Sequence, residues 1–191
     1  MALKNEARGR NIRISFEFFP PKSEEMEGQL WHTVSQLQDW DADFVSVTYG
    51  AGGTTKAPTL STVTRFLSQT PLATASHLTC VGATKEETHQ MIETFRKVGV
   101  THFVALRGDA PGGAGAPYQP HPGGYANAAE LVAGLKSVGD FEISVSAYPE
   151  KHPESRDTAA DIDMLKRKAD NGADRALTQF FFDNDNFERY L

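Results

Sequence analysis

Apolar residues along the chain fall into six short clusters, separated by longer segments in which apolar positions recur every three or four residues. The clusters are rich in β-branched and aromatic residues and stop at Gly, Pro, Asp or polar groups, which predicts buried strands. They cover residues 12–19, 44–50, 74–80, 102–107, 142–148 and 176–182. Because these strands alternate with amphipathic segments, the pattern indicates parallel βαβ units.

The segments between the strands carry the signals of helix ends. Ser23 is placed to cap a helix, and apolar side chains at helical spacing follow it, so Met26 is predicted to lie in the core. Other signals are a capping box at Thr84 and Glu87, a weaker one at Asn127 and Glu130, and a helix near 158–170 that stops at Asn171-Gly172. A further helix is predicted to start after Phe182.

Polar side chains at the ends of the predicted strands bear on the fold class. Both a doubly wound sheet and a (β/α)8 barrel are compatible with the strand–helix alternation. A doubly wound sheet concentrates its ligand groups at one switch point, whereas a barrel builds its site from every strand end on one face. The residues at or just past the strand ends are Glu17, Thr48, His77, Arg107, Asp109, Tyr148 and Gln179. This distribution favours the α/β TIM (β/α)8 barrel, of which the chain supplies about six strand–helix units.

Glu17 is the most informative of these residues, because phenylalanines flank it near the end of the first strand. Burial among apolar side chains disfavours the charged carboxylate and raises its pKa, which suits a proton donor. The alternative is a solvent-facing Glu on an edge strand, since an unpaired Glu is rarely buried.

Composition narrows the classes of protein that fit. The 191 residues suit one sizeable domain or two small ones, and the net charge of −6 argues against non-specific binding of nucleic acid. Cys80 is the single cysteine, so no disulfide forms within the chain, in keeping with the cytoplasm. Residues 1–11 contain no apolar stretch typical of a signal peptide and are expected to form a flexible tail before a domain over 12–191.

Seven segments, in order along the chain, closely resemble the bacterial methylenetetrahydrofolate reductases. They are residues 15–22, 44–51, 77–80, 104–109, 147–154, 165–168 and 178–183. The resemblance implies a TIM barrel that holds FAD non-covalently, with NADH or NADPH as the electron donor. It also implies reduction of 5,10-methylenetetrahydrofolate to 5-methyltetrahydrofolate, in one-carbon metabolism and methionine biosynthesis, by a homo-oligomer. No contact with nucleic acid or membrane is expected.

The resemblance also implies roles for individual residues. Glu17 matches the general acid, Asp109 a catalytic carboxylate near flavin and pterin, and Glu17, Asp109 and Gln179 the folate-binding positions. The positions that match flavin contacts are Thr48, His77, Arg107, Gly108, Asp109, Tyr125, Tyr148, His152, Asp161 and Lys168. Arg107, His152 and Lys168 suit the pyrophosphate by charge, and Asp161 suits a ribose hydroxyl.

Several of these residues have structural alternatives. Lys168 lies in a charged stretch that is usually a solvated helix face, and Asp109 follows a glycine where an aspartate often caps a turn. Phe180, Phe181 and Phe182 are predicted to be core. His77 and Cys80 lack further His or Cys neighbours, so no metal site is expected.

Length sets the last expectation. Eight strand–helix units take about 250 residues, so the chain is expected to be a C-terminally incomplete fragment that does not make a stable monomeric reductase by itself. The alternative function is a non-catalytic truncated barrel that folds with a partner chain or by self-association. A third possibility is another TIM-barrel enzyme, such as a lyase acting on a phosphorylated substrate.

Overall fold

The computed structural model describes residues 13–50, 56–110 and 117–191 and contains six strands and six α-helices in alternation. The strands are β1 Ser15–Phe18, β2 Phe44–Val47, β3 Thr74–Thr79, β4 His102–Leu106, β5 Glu142–Ala147 and β6 Arg175–Thr178. The helices are α1 Glu24–Leu37, α2 Lys56–Gln69, α3 Lys85–Lys97, α4 Ala128–Val138, α5 Thr158–Asp170 and α6 Asn184–Tyr190. All six predicted strands are confirmed, and each ends before its predicted last residue. The expected N-terminal tail lies outside the described residues.

The strands form one parallel sheet in the order β1-β2-β3-β4-β5-β6. Each strand therefore pairs with its neighbours in sequence, and a helix or helical segment connects successive strands. A doubly wound sheet places its first strand in the interior and reverses direction at a switch point. Because no reversal occurs among the described strands, the sheet is part of a TIM barrel, as predicted.

Capping residues start and stop the helices where the sequence predicts. The Ser23 hydroxyl accepts from the Met26 N–H, and Thr84 and Glu87 form the reciprocal capping box. At the end of α5 the chain turns at Gly172, whose φ of 103° lies in the left-handed region that glycine tolerates best. These local signals fix helix boundaries and so fix which loop follows each strand.

The two faces of the sheet differ in character. The face toward the helices holds the main core, in which Phe66, Phe95, Phe103 and Ile143 are fully buried. The opposite face, which lines the inside of a barrel, carries only a small apolar cluster and is otherwise polar; the cluster is Phe44, Ala75 and Val104 with Leu106 and Leu177 packed against it. The polar and titratable side chains of the sheet therefore lie on the inner face and at the edge formed by the C-terminal ends of the strands.

Two predictions about core residues are wrong. Met26 is 43% exposed because it lies in the first turn of α1, before the part of the helix that packs on the core through Leu30 and Val34. Phe180 and Phe182 are 76% and 87% exposed, because β6 ends at Thr178 and both residues follow this edge strand.

Among the residues with described structure, no helix is long and apolar enough to cross a bilayer.

A charged cluster closes the N-terminal end of the inner face. The Arg175 guanidinium lies 2.8 Å from a carboxylate oxygen of Glu142 and 3.6 Å from one of Asp43. Buried His102 lies beside this cluster, with Nδ1 3.9 Å from a carboxylate oxygen of Glu142 and Nε2 2.8 Å from the Ser144 hydroxyl. Burial lowers the pKa of His102, and the positive charge of Arg175 adds to the effect, although Glu142 opposes it. The folded protein therefore disfavours the imidazolium.

We expect acid to weaken the fold through this histidine. Because the folded-state pKa lies below the unfolded value of about 6.5, the unfolded state binds more protons, and the free energy of unfolding falls as pH drops below that value. His102→Gln removes the titration and keeps a polar partner for Ser144. Urea unfolding at pH 7.5, 6.5 and 5.5 should show that the free energy of unfolding falls less with pH in the variant than in the parent. Parallel losses in both proteins would exclude His102 as the cause.

Candidate active site

A cavity of about 410 Å³ opens over the C-terminal ends of β3, β4 and β5, within the size range of small-molecule sites. Its walls come from the loops after these strands and from α5 and α6. The predicted site residues that line it are Arg107, Gly108, Asp109, Tyr148, His152, Asp161 and Lys168. The structure thus brings these residues together, as a barrel face requires.

Arg107 is the first residue after β4 and forms one side of the cavity. Its guanidinium donates two hydrogen bonds to the Glu154 carboxylate, at 2.6 and 3.1 Å, and its Nε donates to the Gly108 carbonyl at 3.1 Å. The guanidinium also lies over the Tyr118 ring, with 4.1 Å between the guanidinium carbon and the ring centroid. The paired carboxylate raises the pKa of Arg107, so its positive charge is permanent.

Gly108 lets the chain turn tightly beside Arg107. Its φ of 87° lies in the left-handed region, and a Cβ there would stand 2.5 Å from Cγ1 of Val81 and 3.0 Å from Cβ of Thr79. The Val81 N–H donates to the Arg107 carbonyl at 3.0 Å, which holds the two loops together. Asp109 follows, exposed at the cavity mouth.

Lys168 lies on the inward face of α5 and is only 5% exposed, so the solvated-face interpretation is wrong for this residue. Its Nζ donates to the Ser146 carbonyl at 2.7 Å and contacts the Ser146 hydroxyl at 3.3 Å. Burial lowers the pKa of Lys168 to about 8, and the Coulombic attraction of Asp161 opposes this. A buried cation whose hydrogen-bond partners are neutral is well suited to an anionic ligand.

We expect Lys168→Met to stabilise the ligand-free protein at pH 7, by about 1–2 kcal/mol after allowance for the lost hydrogen bonds. Below pH 8 the amine is charged in both the folded and the unfolded state, so burying the charge lowers the free energy of unfolding by its full amount. As pH rises from about 8 to 10.5 the amine is neutral in the folded state, and this loss of stability becomes progressively smaller. Urea unfolding at pH 7 and pH 10, with exposed Lys166→Met as the control, measures this difference. A variant less stable than the parent at pH 7 would contradict the expectation.

Asp161 organises the loop after β5. One carboxylate oxygen accepts from the His152 backbone N–H at 2.8 Å and the other accepts from the Ser155 hydroxyl. The His152 ring packs edge-on against Tyr148, with centroids 4.7 Å apart. The wall of the cavity formed by this loop is therefore held by a buried carboxylate.

Glu17 and His77 form a pair on the inner face of the sheet. Oε2 of Glu17 lies 3.3 Å from Nε2 of His77, close, though too oblique for a well-formed hydrogen bond. This contact lowers the pKa of Glu17, and partial burial opposes it only in part. The predicted rise in its pKa is therefore wrong for the ligand-free protein: Phe16 and Phe18 pack toward the helices, and the Glu17 side chain is 52% exposed on edge strand β1.

Three other predicted residues lie outside the cavity lining. Thr48 and Gln179 stand at the same edge of the sheet, where their backbone N–H groups donate to Phe18 and Ala147. Tyr125 instead lies in the helical layer, where its hydroxyl is 2.7 Å from Nε2 of His89. A structural role accounts for the Tyr125 contacts, and its assignment to cofactor binding stays a prediction.

Sequence reasoning missed several lining residues, among them Tyr49, Thr79, Asn127, Ser146 and Tyr190. Thr79 could have been found, because strand periodicity puts it on the same face as His77, two residues earlier. His77 faces Glu17 while Cys80 packs in the main core, so these two do not converge. In residues 13–50, 56–110 and 117–191, no three potential metal ligands cluster.

The family model and the curated relatives agree on one family. Residues 2–191 match the family model described as methylenetetrahydrofolate reductase. The chain is 46% identical to the 5,10-methylenetetrahydrofolate reductases of Salmonella typhimurium and Escherichia coli, over 97% of this chain and 60% of each relative. The chain thus spans about 60% of the length of these curated relatives.

A solved structure supports the fold. An uncharacterised protein from Clostridium thermocellum, described as binding two copies of 5-methyl-5,6,7,8-tetrahydrofolic acid, superposes with a TM-score of 0.62 at 18% identity. The match covers 100% of this chain and 62% of that one. At this identity the likeness concerns the fold alone.

Proposed function

The chain belongs to the methylenetetrahydrofolate reductase family, and on this premise we propose that it binds FAD non-covalently and takes part in the NAD(P)H-dependent reduction of 5,10-methylenetetrahydrofolate to 5-methyltetrahydrofolate. The observation that carries the proposal is the cavity at the strand ends, which holds Arg107 and buried Lys168. We place the reaction in the cytoplasm and in a homo-oligomer, with NADH as the first donor to test.

The residues of the cavity fit a cofactor that carries two phosphate groups. Lys168 supplies a buried ammonium and Arg107 a guanidinium with N–H groups left over from its bonds to Glu154 and Gly108. Both donors suit phosphate oxygens. When bound, the flavin would carry the hydride between the nicotinamide and the folate.

The chain's own residues supply position and protons. The methylene bridge of the folate must open before hydride can reach its carbon, and opening requires a proton on the departing nitrogen. Glu17 is the residue we assign to that proton, with His77 beside it. A ligand that covers the exposed side of Glu17 would remove water from it and raise its pKa toward the range of a useful acid.

Asp109 and Gln179 are the other folate contacts in this proposal. The exposed Asp109 carboxylate at the cavity mouth can accept hydrogen bonds from pterin nitrogens. Its negative charge would stabilise the positive charge of the opened folate. Gln179 lies exposed beyond β6, where its amide can both donate and accept.

The absorbance spectrum of the purified chain tests the function directly. We expect bands of bound flavin, bleaching on anaerobic addition of NADH, and return of the bands when 5,10-methylenetetrahydrofolate follows. NADPH in place of NADH determines the donor. A chain that shows no flavin bands and gains none on incubation with FAD would contradict the proposal.

The exposure of Phe180 and Phe182 favours a second candidate function. Their rings pack against each other 5.1 Å apart beside edge strand β6. In this alternative the chain is a non-catalytic part of an assembly that is completed by a partner chain or by self-association. Mass measurement during size-exclusion chromatography separates the two: a monomer that carries flavin excludes the alternative.

A further inference from the structure

We propose that Glu154 and Tyr118 are positioning residues that hold the Arg107 guanidinium ready for a phosphate group of the cofactor. The proposal rests on the proposed function, because it names the residues that prepare Arg107 for that ligand. Neither residue is among those assigned to the site from the sequence.

The plane of the guanidinium is fixed by three hydrogen bonds. Two go side by side to the Glu154 carboxylate, at 2.6 and 3.1 Å, and the third goes from Nε to the Gly108 carbonyl at 3.1 Å. Parallel bonds of this kind add geometric specificity as well as energy. Because a guanidinium has five N–H donors, two remain for a ligand.

The face of the guanidinium is fixed by Tyr118. The ring centroid lies 4.1 Å from the guanidinium carbon, within the range of a cation–π contact. The backbone of Arg107 is held as well, since its carbonyl accepts from the Val81 N–H at 3.0 Å. Both ends of this side chain are therefore restrained before any ligand arrives.

Glu154 and Tyr118 act from outside the cavity. Arg107 lines the cavity, whereas the other two do not. Glu154 is itself anchored, because its backbone N–H donates to Nδ1 of His152, whose own N–H is held by Asp161. The carboxylate thus restrains Arg107 without itself lining the cavity.

This arrangement reduces the conformational entropy that Arg107 loses when a ligand binds. A free arginine side chain loses rotamer freedom when it grips a phosphate, and a restrained one has already lost it. The negative charge of Glu154 also weakens the attraction of the site for an anionic ligand. Restraint of Arg107 therefore strengthens binding, whereas the charge of Glu154 weakens it. The geometry favours restraint, because the carboxylate lies outside the space that a ligand would occupy.

Titration of FAD fluorescence against the purified chain measures the effect as a dissociation constant. We expect Glu154→Gln and Tyr118→Leu each to raise this constant roughly three- to tenfold, the loss of one ordered side chain. Tyr118→Phe keeps the ring and should stay within about twofold of the parent. Glu93→Gln is the matched control, since it breaks an exposed Glu–Arg pair on α3 without touching the cavity.

A double variant shows whether Glu154 acts through Arg107. In an Arg107→Met background, Glu154→Gln should have no further effect on the dissociation constant. An additional loss in that background, or unchanged or tighter FAD binding by Glu154→Gln alone, overturns the positioning role. If Glu154→Gln unfolds early by circular dichroism, Glu154→Asp and Tyr118→Leu carry the same test.

Failure of the proposed function has a different signature. A parent chain that binds no FAD overturns the function and the positioning role together. A parent chain that binds FAD with the same affinity as Glu154→Gln overturns the positioning role alone.

Discussion

Glu17→Gln should abolish most folate reduction while the chain still binds FAD and oxidises NADH. A glutamine keeps the size and polarity of the side chain but cannot donate the carboxylic proton, and general acid catalysis of this kind contributes about 10²–10⁴-fold. Single-turnover mixing of reduced protein with 5,10-methylenetetrahydrofolate isolates the affected step. Glu25→Gln, which makes the same change on exposed α1, is the control.

The pH dependence of the same reaction sharpens this test. Contact with His77 holds the pKa of Glu17 below its usual value in the ligand-free protein, so the acid form is scarce at neutral pH. For reduction of folate, kcat/KM should rise as pH falls from 7 toward 5 in the parent, and this rise should vanish in Glu17→Gln. Folate turnover near the parent rate in the variant would remove Glu17 from the role of proton donor.

Gly108→Ala is the second large effect that we expect, and it acts on the fold and the site together. An alanine at φ 87° costs about 1–2 kcal/mol, and its Cβ would stand 2.5 Å from Cγ1 of Val81. Overpacking adds about 1–3 kcal/mol, so a total loss of about 2–5 kcal/mol follows. Chemical denaturation measures the loss, and weaker FAD binding should accompany it because Arg107 is the preceding residue.

Gly82 provides a matched control for this variant. It also has a positive φ, 68°, but no atom within 4 Å of the position of a Cβ. Gly82→Ala should therefore show only the backbone cost, and Val81→Ala should recover part of the loss in Gly108→Ala. Equal losses at the two glycines would show that the close approach of Val81 has no energetic weight.

The sequence predicted the strand–helix order and the helix caps because these depend on local patterns. Thr84 with Glu87, and Gly172, act within one helical turn of their partners. The grouping of site residues was predictable in the same way, since parallel strands bring their carboxyl ends to one edge.

The environments of individual side chains were less predictable because they depend on contacts distant in sequence. The pKa of Glu17 is set by His77, which is distant in sequence, and by the edge position of β1. Arg107 and Glu154 are 47 residues apart and meet only because β4 and β5 are adjacent. For Lys168 a usable signal existed, since seven residues after Asp161 is two helical turns and therefore the same face of α5.

The burial of Lys168 has a consequence for how binding would be measured. With a pKa of about 8, a fraction of these amines is neutral just above neutral pH. An anion placed beside the amine favours its charged form, so binding draws a proton from the solvent. Calorimetric titrations at pH 8 should then give heats that differ between HEPES and Tris buffers, in proportion to the proton uptake, although the affinity is the same in both.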